Sequence, residues 1–291
     1  MTADYVRPAD VDQAVAAGGR PGAVYLAGGT DLLVPGNPRR EGASLLVSLR
    51  DVEQLRTLED LPDGRLFIGA MVTHARLAAS VDIRDRFAAL AQACEAIGSA
   101  SIRAAATVGG NLCTAVPSAD AAVPLLLYDA QVVLRDGQAT QELSLRDFFT
   151  GPGRTVLGEG ELLLGVRIAP GARPGSASAF RKISRRAAMD IALVGAAASV
   201  DVERGVCTRL VLALGAVAPT PVVVDATSPL AEGRTLDGAL LDELADLAEA
   251  AARPITDIRA SMDYRRAMIR VLVRDVTDDA WRRALARERG V

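Results

Sequence analysis

Apolar and polar residues near the amino terminus alternate in a pattern that predicts a small α/β unit. Apolar residues recur at helical spacing behind Pro8, which predicts a short helix within residues 4–17. The apolar runs at residues 24–26 and 45–49 predict two strands. Residues 35–38, Pro-Gly-Asn-Pro, predict a loop between these strands.

A second block of apolar runs predicts another unit of mixed strands and helices. Strands are expected at residues 66–70, 132–134 and 161–168. Between the first two, apolar residues at 87–97 fall at helical spacing, and a glycine follows where a helix commonly ends. This spacing places Cys94 on the buried face, where we expect its thiol to be an inert core group.

The last part of the chain has the pattern of an α+β domain, because strands come first and helices follow. A stretch rich in glycine, proline and serine at residues 170–178 marks its beginning. The predicted elements are strands at 177–183, 192–202 and 207–217, then helices at 237–252, 260–274 and 277–288. We therefore divide the chain into three domains, at residues 1–54, 55–172 and 173–291.

The composition argues against several classes of protein. The chain has 291 residues, 50% of them hydrophobic, which suffices for one sizeable core or several modest ones. Its formal net charge of −3 gives no reason to expect nucleic acid as a partner. No apolar run approaches the ~20 residues of a membrane span, and the acidic first residues lack the apolar core of a signal peptide. We therefore expect a cytoplasmic protein without a membrane span.

Cysteine and histidine are scarce. The three cysteines, Cys94, Cys113 and Cys207, lie far apart and fit reduced thiols better than a disulfide framework. They are also too few for an iron–sulfur cluster, which usually takes four cysteines. His74 is the only histidine, which argues against a zinc site or a Ser-His-Asp triad. Lys182 is the one lysine among 33 basic residues.

Two glycine pairs flanked by hydroxyl residues are the strongest candidates for a binding site. Residues 27–32 read Ala-Gly-Gly-Thr-Asp-Leu, and residues 107–112 read Thr-Val-Gly-Gly-Asn-Leu. Glycine permits a positive φ and a close approach of a ligand, and consecutive exposed N–H groups form an anion-binding concavity. The hydroxyls of Thr30 and Thr107 could donate to phosphate oxygens, and Asn111 can donate or accept. The two motifs together predict one diphosphate held from two sides.

Each of these candidates also has an ordinary structural interpretation. Either glycine pair alone could be a simple turn, and Asp31 could cap a helix or lie in its first turn. Asp120 could cap the following helix, or it could bond a ribose or ribityl hydroxyl. Lys182 lies among arginines and could be a solvated charge. The sequence contains no G-x-G-x-x-G, so a Rossmann dinucleotide site is not predicted.

These motifs resemble those of the FAD-binding subunits or domains of molybdenum hydroxylases. That family includes xanthine dehydrogenases, the medium subunit of aerobic carbon monoxide dehydrogenase and 4-hydroxybenzoyl-CoA reductase. The resemblance covers the whole chain, and the two glycine motifs together make it specific. The residues that carry it are 27–32, 102–112 and 117–120, supported by 68–74, 161–163 and 182–192 in the family's order.

The resemblance implies an α+β fold of the vanillyl-alcohol-oxidase type. Two α/β subdomains would hold extended FAD, and a C-terminal α+β domain would add a three-stranded antiparallel sheet and helices. The two glycine motifs would hold the diphosphate, and Asp120 would contact the ribityl or nearby hydroxyls. Ile97, Leu163 and Ile191 would lie near the isoalloxazine. Lys182 would lie near its polar edge. The full set of implied cofactor residues is Leu26, Ala27, Gly28, Gly29, Thr30, Asp31, Leu32, Ile97, Thr107, Val108, Gly109, Gly110, Asn111, Asp120, Leu163, Lys182 and Ile191.

The function implied by the resemblance is electron transfer within a larger oxidoreductase. A large partner subunit would bind molybdopterin, and a small one would hold [2Fe–2S] clusters. Electrons would pass from the clusters through FAD to NAD⁺, a quinone or another acceptor. We expect no catalytic residue and no metal ligand in this chain. Two other interpretations stay open: a stand-alone FAD-dependent oxidase or dehydrogenase acting directly on a small molecule, and a nucleotide-binding scaffold without redox chemistry.

Overall fold

The chain folds into two compact units, each assembled from separated segments. The computed structural model describes residues 3–171, 174–186 and 188–290. The first unit comprises Met1–Arg76, Ala100–Ala115 and Asp129–Pro170, and the second comprises Leu77–Ser99, Val116–Tyr128 and Gly171–Val291. The division into three consecutive domains stays a prediction.

Helices and strands are mixed along the chain, which confirms the predicted α+β class. The strands among the described residues are β1 (Asp4–Val6), β2 (Ala23–Leu26), β3 (Leu45–Ser48), β4 (Leu58–Asp60), β5 (Leu66–Gly69), β6 (Gln131–Asp136), β7 (Ala139–Ser144), β8 (Phe149–Gly151), β9 (Arg154–Thr155), β10 (Leu162–Ile168), β11 (Ser176–Ile183), β12 (Val194–Glu203), β13 (Val206–Gly215) and β14 (Val222–Val224). The α-helices are α1 (Val11–Gly18), α2 (Pro38–Glu41), α3 (His74–Ala79), α4 (Val81–Arg86), α5 (Ala88–Ala96), α6 (Ala100–Ala105), α7 (Val108–Thr114), α8 (Ala122–Leu127), α9 (Leu145–Phe148), α10 (Thr227–Ala231), α11 (Gly238–Ala251) and α12 (Met262–Glu288). A 3₁₀ helix spans Glu53–Arg56.

The first unit contains a short parallel sheet and a larger antiparallel one. The parallel sheet has the strand order β1-β3-β2, and α1 connects β1 to β2. Asp10 caps α1 by accepting a 2.8 Å hydrogen bond from the amide of Gln13. The antiparallel sheet has the order β4-β5-β10-β6-β7. A core cluster of the first unit consists of Ala14, Val15, Leu49, Val52, Leu55, Met71 and Leu162.

The second unit contains a four-stranded antiparallel sheet that packs against α11 and α12. Its strand order is β11-β12-β13-β14. Alternate residues of the strands meet the apolar faces of both helices in one core. The three predicted strands are confirmed, and the structure adds a short fourth strand, β14. Three consecutive valines form β14, and so short a run carries no alternation by which it could be predicted.

Two predicted helices are one continuous helix in the structure. We expected separate helices at 260–274 and 277–288, but α12 runs unbroken for 27 residues. Thr277 is fully buried on the face of α12 that also buries Val273 and Trp281. Burial of this long face stabilises the helix across β-branched residues that weaken it locally, so the predicted break was wrong.

The amino-terminal segment also differs from its prediction. The first helix begins at Val11, after its Asp10 cap, rather than at Pro8. Residues ahead of it form β1, which pairs with β3. This strand was not predicted, because three residues are too few to show an alternating pattern. Among the residues that the structure describes, no helix combines the length and the apolarity needed to cross a lipid bilayer.

Candidate functional site

The two glycine motifs lie side by side in the first unit. A Cβ atom placed on Gly110 would lie 3.9 Å from the Cβ of Ala27. One placed on Gly28 would lie only 1.9 Å from the carbonyl oxygen of Ala105. The absence of side chains at these glycines therefore lets two backbone segments approach within contact distance.

The second motif forms the first turn of helix α7. We expected a turn with positive φ at its glycines, and that prediction was wrong. Neither Gly109 nor Gly110 has a positive φ. Thr107 caps α7, and its hydroxyl oxygen accepts a 3.1 Å hydrogen bond from the amide of Gly110. The amides of residues 108, 109 and 111 donate to backbone carbonyl groups. All four amides of residues 108–111 therefore already have protein acceptors.

The first motif leaves its amides available to a ligand. None of the N–H groups of residues 28–32 has a hydrogen-bond acceptor among the described residues. Gly29 has a φ of +73°, the conformation that turns successive N–H groups towards one point. Five consecutive unbonded donors that include a left-handed glycine are the kind of backbone from which anion-binding concavities are built.

Asp31 closes the loop that follows these amides. Its carboxylate and its carbonyl oxygen accept hydrogen bonds from the Asn37 side chain at 3.3 Å and 3.2 Å. Asp31 neither caps a helix nor lies in the first turn of one, so both parts of its ordinary interpretation were wrong. Asn37 itself caps α2, and the loop therefore has a defined end.

A cavity of about 360 Å³ opens beside the motifs in the first unit. Predicted cofactor residues that line it include Ala27, Gly109, Gly110 and Leu163. Leu163 lies on β10 and is 3% exposed, so it contributes an apolar wall. The cavity therefore combines apolar surface with backbone from both motifs, which is typical of a small-molecule site.

Several residues of the cavity were not predicted as cofactor residues. They are Tyr25, Arg39, Glu159 and Glu161. Tyr25 donates a 2.8 Å hydrogen bond to the carbonyl oxygen of Gly160, and burial raises the pKa of its phenol to about 12. Only the tertiary fold brings the loop at 158–161 to this cavity, so local sequence could not have indicated it.

The side chain of Asn111 indicates that the ligand of this site has hydrogen-bond donors. Its Oδ1 atom is buried and has no donor among the described residues. A buried amide oxygen without a partner is costly unless a ligand or water satisfies it. Free amides for a phosphate and a buried acceptor for a hydroxyl or amino group both fit FAD.

In the second unit, Lys182 and Asp120 form a buried ion pair. The Nζ atom of Lys182 lies 2.6 Å from Oδ2 of Asp120 and 3.4 Å from the carbonyl oxygen of Asp190. The side chains of Lys182 and Asp120 are 11% and 9% exposed. Lys182 is therefore not a solvated charge, and Asp120 is not the cap of α8, which has no side-chain cap.

We predict that the contribution of Asp120 to the free energy of unfolding falls as pH rises from about 4 to about 7. Burial raises the pKa of Asp120 from 3.8 to about 6, although the charge and hydrogen bond of Lys182 lower it. Because the folded pKa exceeds the unfolded one, the contribution is complete below the unfolded pKa and is lost as pH rises through the folded pKa.

The measurement for this prediction is the difference in free energy of unfolding between the wild type and Asp120→Asn, taken at several pH values. The amide cannot titrate, so the difference isolates this carboxyl from the other acidic groups. A difference that grows in favour of the wild type with rising pH would contradict the prediction.

Two loops of the second unit carry the remaining predicted flavin residues. Ile97 follows α5 and is half-buried, and Ile191 is 48% exposed. The Asp190 carboxylate accepts hydrogen bonds of 3.0 Å from the amides of Arg186 and Ile191. Burial opposes the charge of Asp190, but these hydrogen bonds outweigh it and lower its pKa. Asp190 thus holds the loop that presents Ile191.

His74 and Cys94 are buried and uncharged at neutral pH. His74 is 0% exposed, and burial lowers the pKa of its imidazole to about 4. Cys94 is fully buried as predicted, and burial raises the pKa of its thiol. Within the described ranges, no group of three or more histidine, cysteine, aspartate and glutamate residues is placed to hold a metal ion.

Comparison with known protein families gives two matches that together span most of the chain. Residues 1–170 match the family model described as the FAD binding domain in molybdopterin dehydrogenase. Residues 178–280 match the model described as the CO dehydrogenase flavoprotein C-terminal domain.

Individual proteins similar to this chain agree with these matches. The xanthine dehydrogenase FAD-binding subunit of Escherichia coli O157:H7 is 31% identical, over 89% of each chain. The carbon monoxide dehydrogenase medium chain of Afipia carboxidovorans is 30% identical, over 97% of each chain. Among solved structures, carbon monoxide dehydrogenase from Hydrogenophaga pseudoflava superposes with a TM-score of 0.91 at 28% identity, over 97% of this chain and 98% of that one.

Proposed function

Because the chain belongs to the FAD-binding subunits of the molybdopterin dehydrogenase family, we propose that it is the electron-transfer subunit of a molybdenum hydroxylase. Its cofactor is FAD, and its chemistry is oxidoreduction. A large partner subunit would bind molybdopterin, and a small one would hold the [2Fe–2S] clusters. When bound, FAD supplies electron transfer between those clusters and NAD⁺, a quinone or another acceptor. A cytoplasmic location stays a prediction.

The observation that carries this proposal is the row of unbonded amides at residues 28–32. These N–H groups would hold the FAD diphosphate, since charge-assisted hydrogen bonds to phosphate are strong and need no side chain. The second motif, whose own amides are occupied, would instead supply close packing and the Asn111 side chain. The diphosphate would thus be held mainly from one side.

The other predicted cofactor residues keep the roles proposed for them, with one change. Ile97, Ile191 and Leu163 would contact the isoalloxazine, and Lys182 would approach its polar edge. Asp120 already binds Lys182 at 2.6 Å, so we propose that it orients this lysine in addition to any contact with a FAD hydroxyl. Each of these roles rests on the resemblance to the family.

The experiment that tests the proposed function is anaerobic reduction of the FAD-loaded chain. We expect dithionite to bleach the flavin absorbance, and we expect purines, aldehydes and similar substrates to leave it unchanged. Addition of the two partner subunits should make the flavin reducible by the substrate of the complex. Rapid bleaching of the isolated chain by an organic substrate would instead establish a stand-alone FAD-dependent dehydrogenase or oxidase.

A further inference from the structure

Arg39 brings an uncompensated positive charge to the cavity of the first unit. It is the single cation among the described residues that line this cavity. Its guanidinium donates to the carbonyl oxygens of Cys113, at 3.0 Å, and Gly153, at 2.8 Å. Both acceptors are neutral, and among the described residues no carboxylate forms an ion pair with Arg39.

The sequence around Arg39 ties it to the first glycine motif. Asn37 accepts a 3.0 Å hydrogen bond from the Arg39 amide, and Pro38 suits the first helical position of α2. The Asn37 side chain also donates to Asp31, within the row of free amides. These hydrogen bonds close the loop between Asp31 and Asn37, so they connect Arg39 to the end of the row of free amides.

The contacts of Arg39 also reach the second motif. Cys113 lies on α7, the helix that begins at that motif, and Gly153 lies in the turn between β8 and β9. The guanidinium thus connects three segments around one cavity. A guanidinium has five N–H donors, and these two hydrogen bonds use two of them, so donors remain for a ligand.

The acidic residues of the cavity come from a different loop. Glu161 accepts hydrogen bonds from the Gly158 amide at 2.8 Å and from Gln141 Nε2 at 3.1 Å, and Glu159 is exposed nearby. A dianionic diphosphate is repelled by these carboxylates and attracted by Arg39. The free amides of residues 28–32 do not themselves line the cavity, but they directly follow Ala27, which does. The charges of the lining therefore favour one location for a diphosphate.

We propose that Arg39 binds the diphosphate of FAD and that its charge, rather than its packing alone, retains the cofactor. The proposal rests on the proposed function, because it takes FAD as the ligand of this cavity. It adds a cationic partner to the backbone amides, which by themselves carry only partial charges.

The test measures the dissociation constant of FAD by quenching of flavin fluorescence, at several salt concentrations, for the wild-type apoprotein and three variants. We expect Arg39→Ala to weaken binding by about 10- to 100-fold and to reduce its dependence on salt. Arg39→Lys keeps the charge and should recover most of the affinity. Arg40→Ala is the matched control, because Arg40 is the adjacent arginine and does not line the cavity.

Thermal unfolding of each apoprotein separates loss of the ligand contact from loss of the fold. The proposal is overturned if Arg39→Ala binds FAD like Arg40→Ala. It is also overturned if Arg39→Lys binds FAD as weakly as Arg39→Ala and the binding of FAD to Arg39→Ala depends on salt as strongly as that of the wild type. Failure of the wild-type apoprotein to bind FAD would overturn the proposed function itself and this inference with it.

Discussion

Replacing Gly28 with alanine is expected to weaken the binding of FAD by more than about 100-fold. The added Cβ would lie 1.9 Å from the carbonyl oxygen of Ala105 and 2.7 Å from its carbonyl carbon. Both atoms belong to the main chain and cannot rotate away, so the backbone of residues 27–32 must move. Loss of two amide–phosphate hydrogen bonds, at about 1.5–3 kcal/mol each, accounts for this effect. Titration of the apoprotein with FAD measures it.

A glycine outside the cavity provides the control for this substitution. Gly137 lies in the hairpin between β6 and β7 with a φ of +51°, and no atom would lie within 4 Å of an added Cβ. Gly137→Ala should therefore cost about 1–2 kcal/mol of stability through its backbone conformation and leave FAD affinity unchanged. If Gly28→Ala bound FAD as tightly as Gly137→Ala, the first motif would not hold the diphosphate.

Replacing Lys182 with methionine is expected to lower the free energy of unfolding of the apoprotein by about 3–5 kcal/mol. The carboxylate of Asp120 is 9% exposed and loses its counter-charge in this variant. An unpaired buried charge must either remain desolvated or take up a proton, and both cost free energy at neutral pH. Unfolding by guanidinium chloride, followed by circular dichroism, measures the change.

Two further variants show whether burial causes this effect. Asp120→Asn combined with Lys182→Met removes both charges and should recover most of the lost stability. Arg282→Met breaks a surface pair with Asp278, whose members are 68% and 45% exposed, and should cost less than about 1 kcal/mol. If Lys182→Met and Arg282→Met lowered the free energy of unfolding equally, the pair of Lys182 with Asp120 would contribute no more than a surface ion pair.

The predicted elements were most accurate where one face of an element is buried along several residues. The strands that became β5, β10, β11, β12 and β13 each carry enough apolar residues to be recognised, and so does α11. Shorter elements such as β1 and β14 were missed, because three residues carry no usable periodicity. The break predicted within α12 failed for the opposite reason: burial of a long face outweighed weak local propensity.

The glycine motifs show how far a local pattern can be interpreted. Both motifs read as turns, since consecutive glycines favour neither helix nor strand. Thr107 nevertheless caps a helix through them, and the amides of Val108 and Gly109 bond to residues 72 and 70. These partners are distant in sequence, so only the fold shows that the second motif has no amides left for an anion.

The sequence by itself determined the family, the cofactor and the two motifs that identify them, because these depend on residue types at fixed local spacings. The tertiary structure alone decided which motif keeps free amides, that Lys182 has Asp120 as its buried partner, and that Arg39 reaches the cavity. Each of those features joins residues far apart in the chain. Their hydrogen bonds and burial exist only after folding. The residues next to an arginine in the sequence do not indicate which cavity it will line.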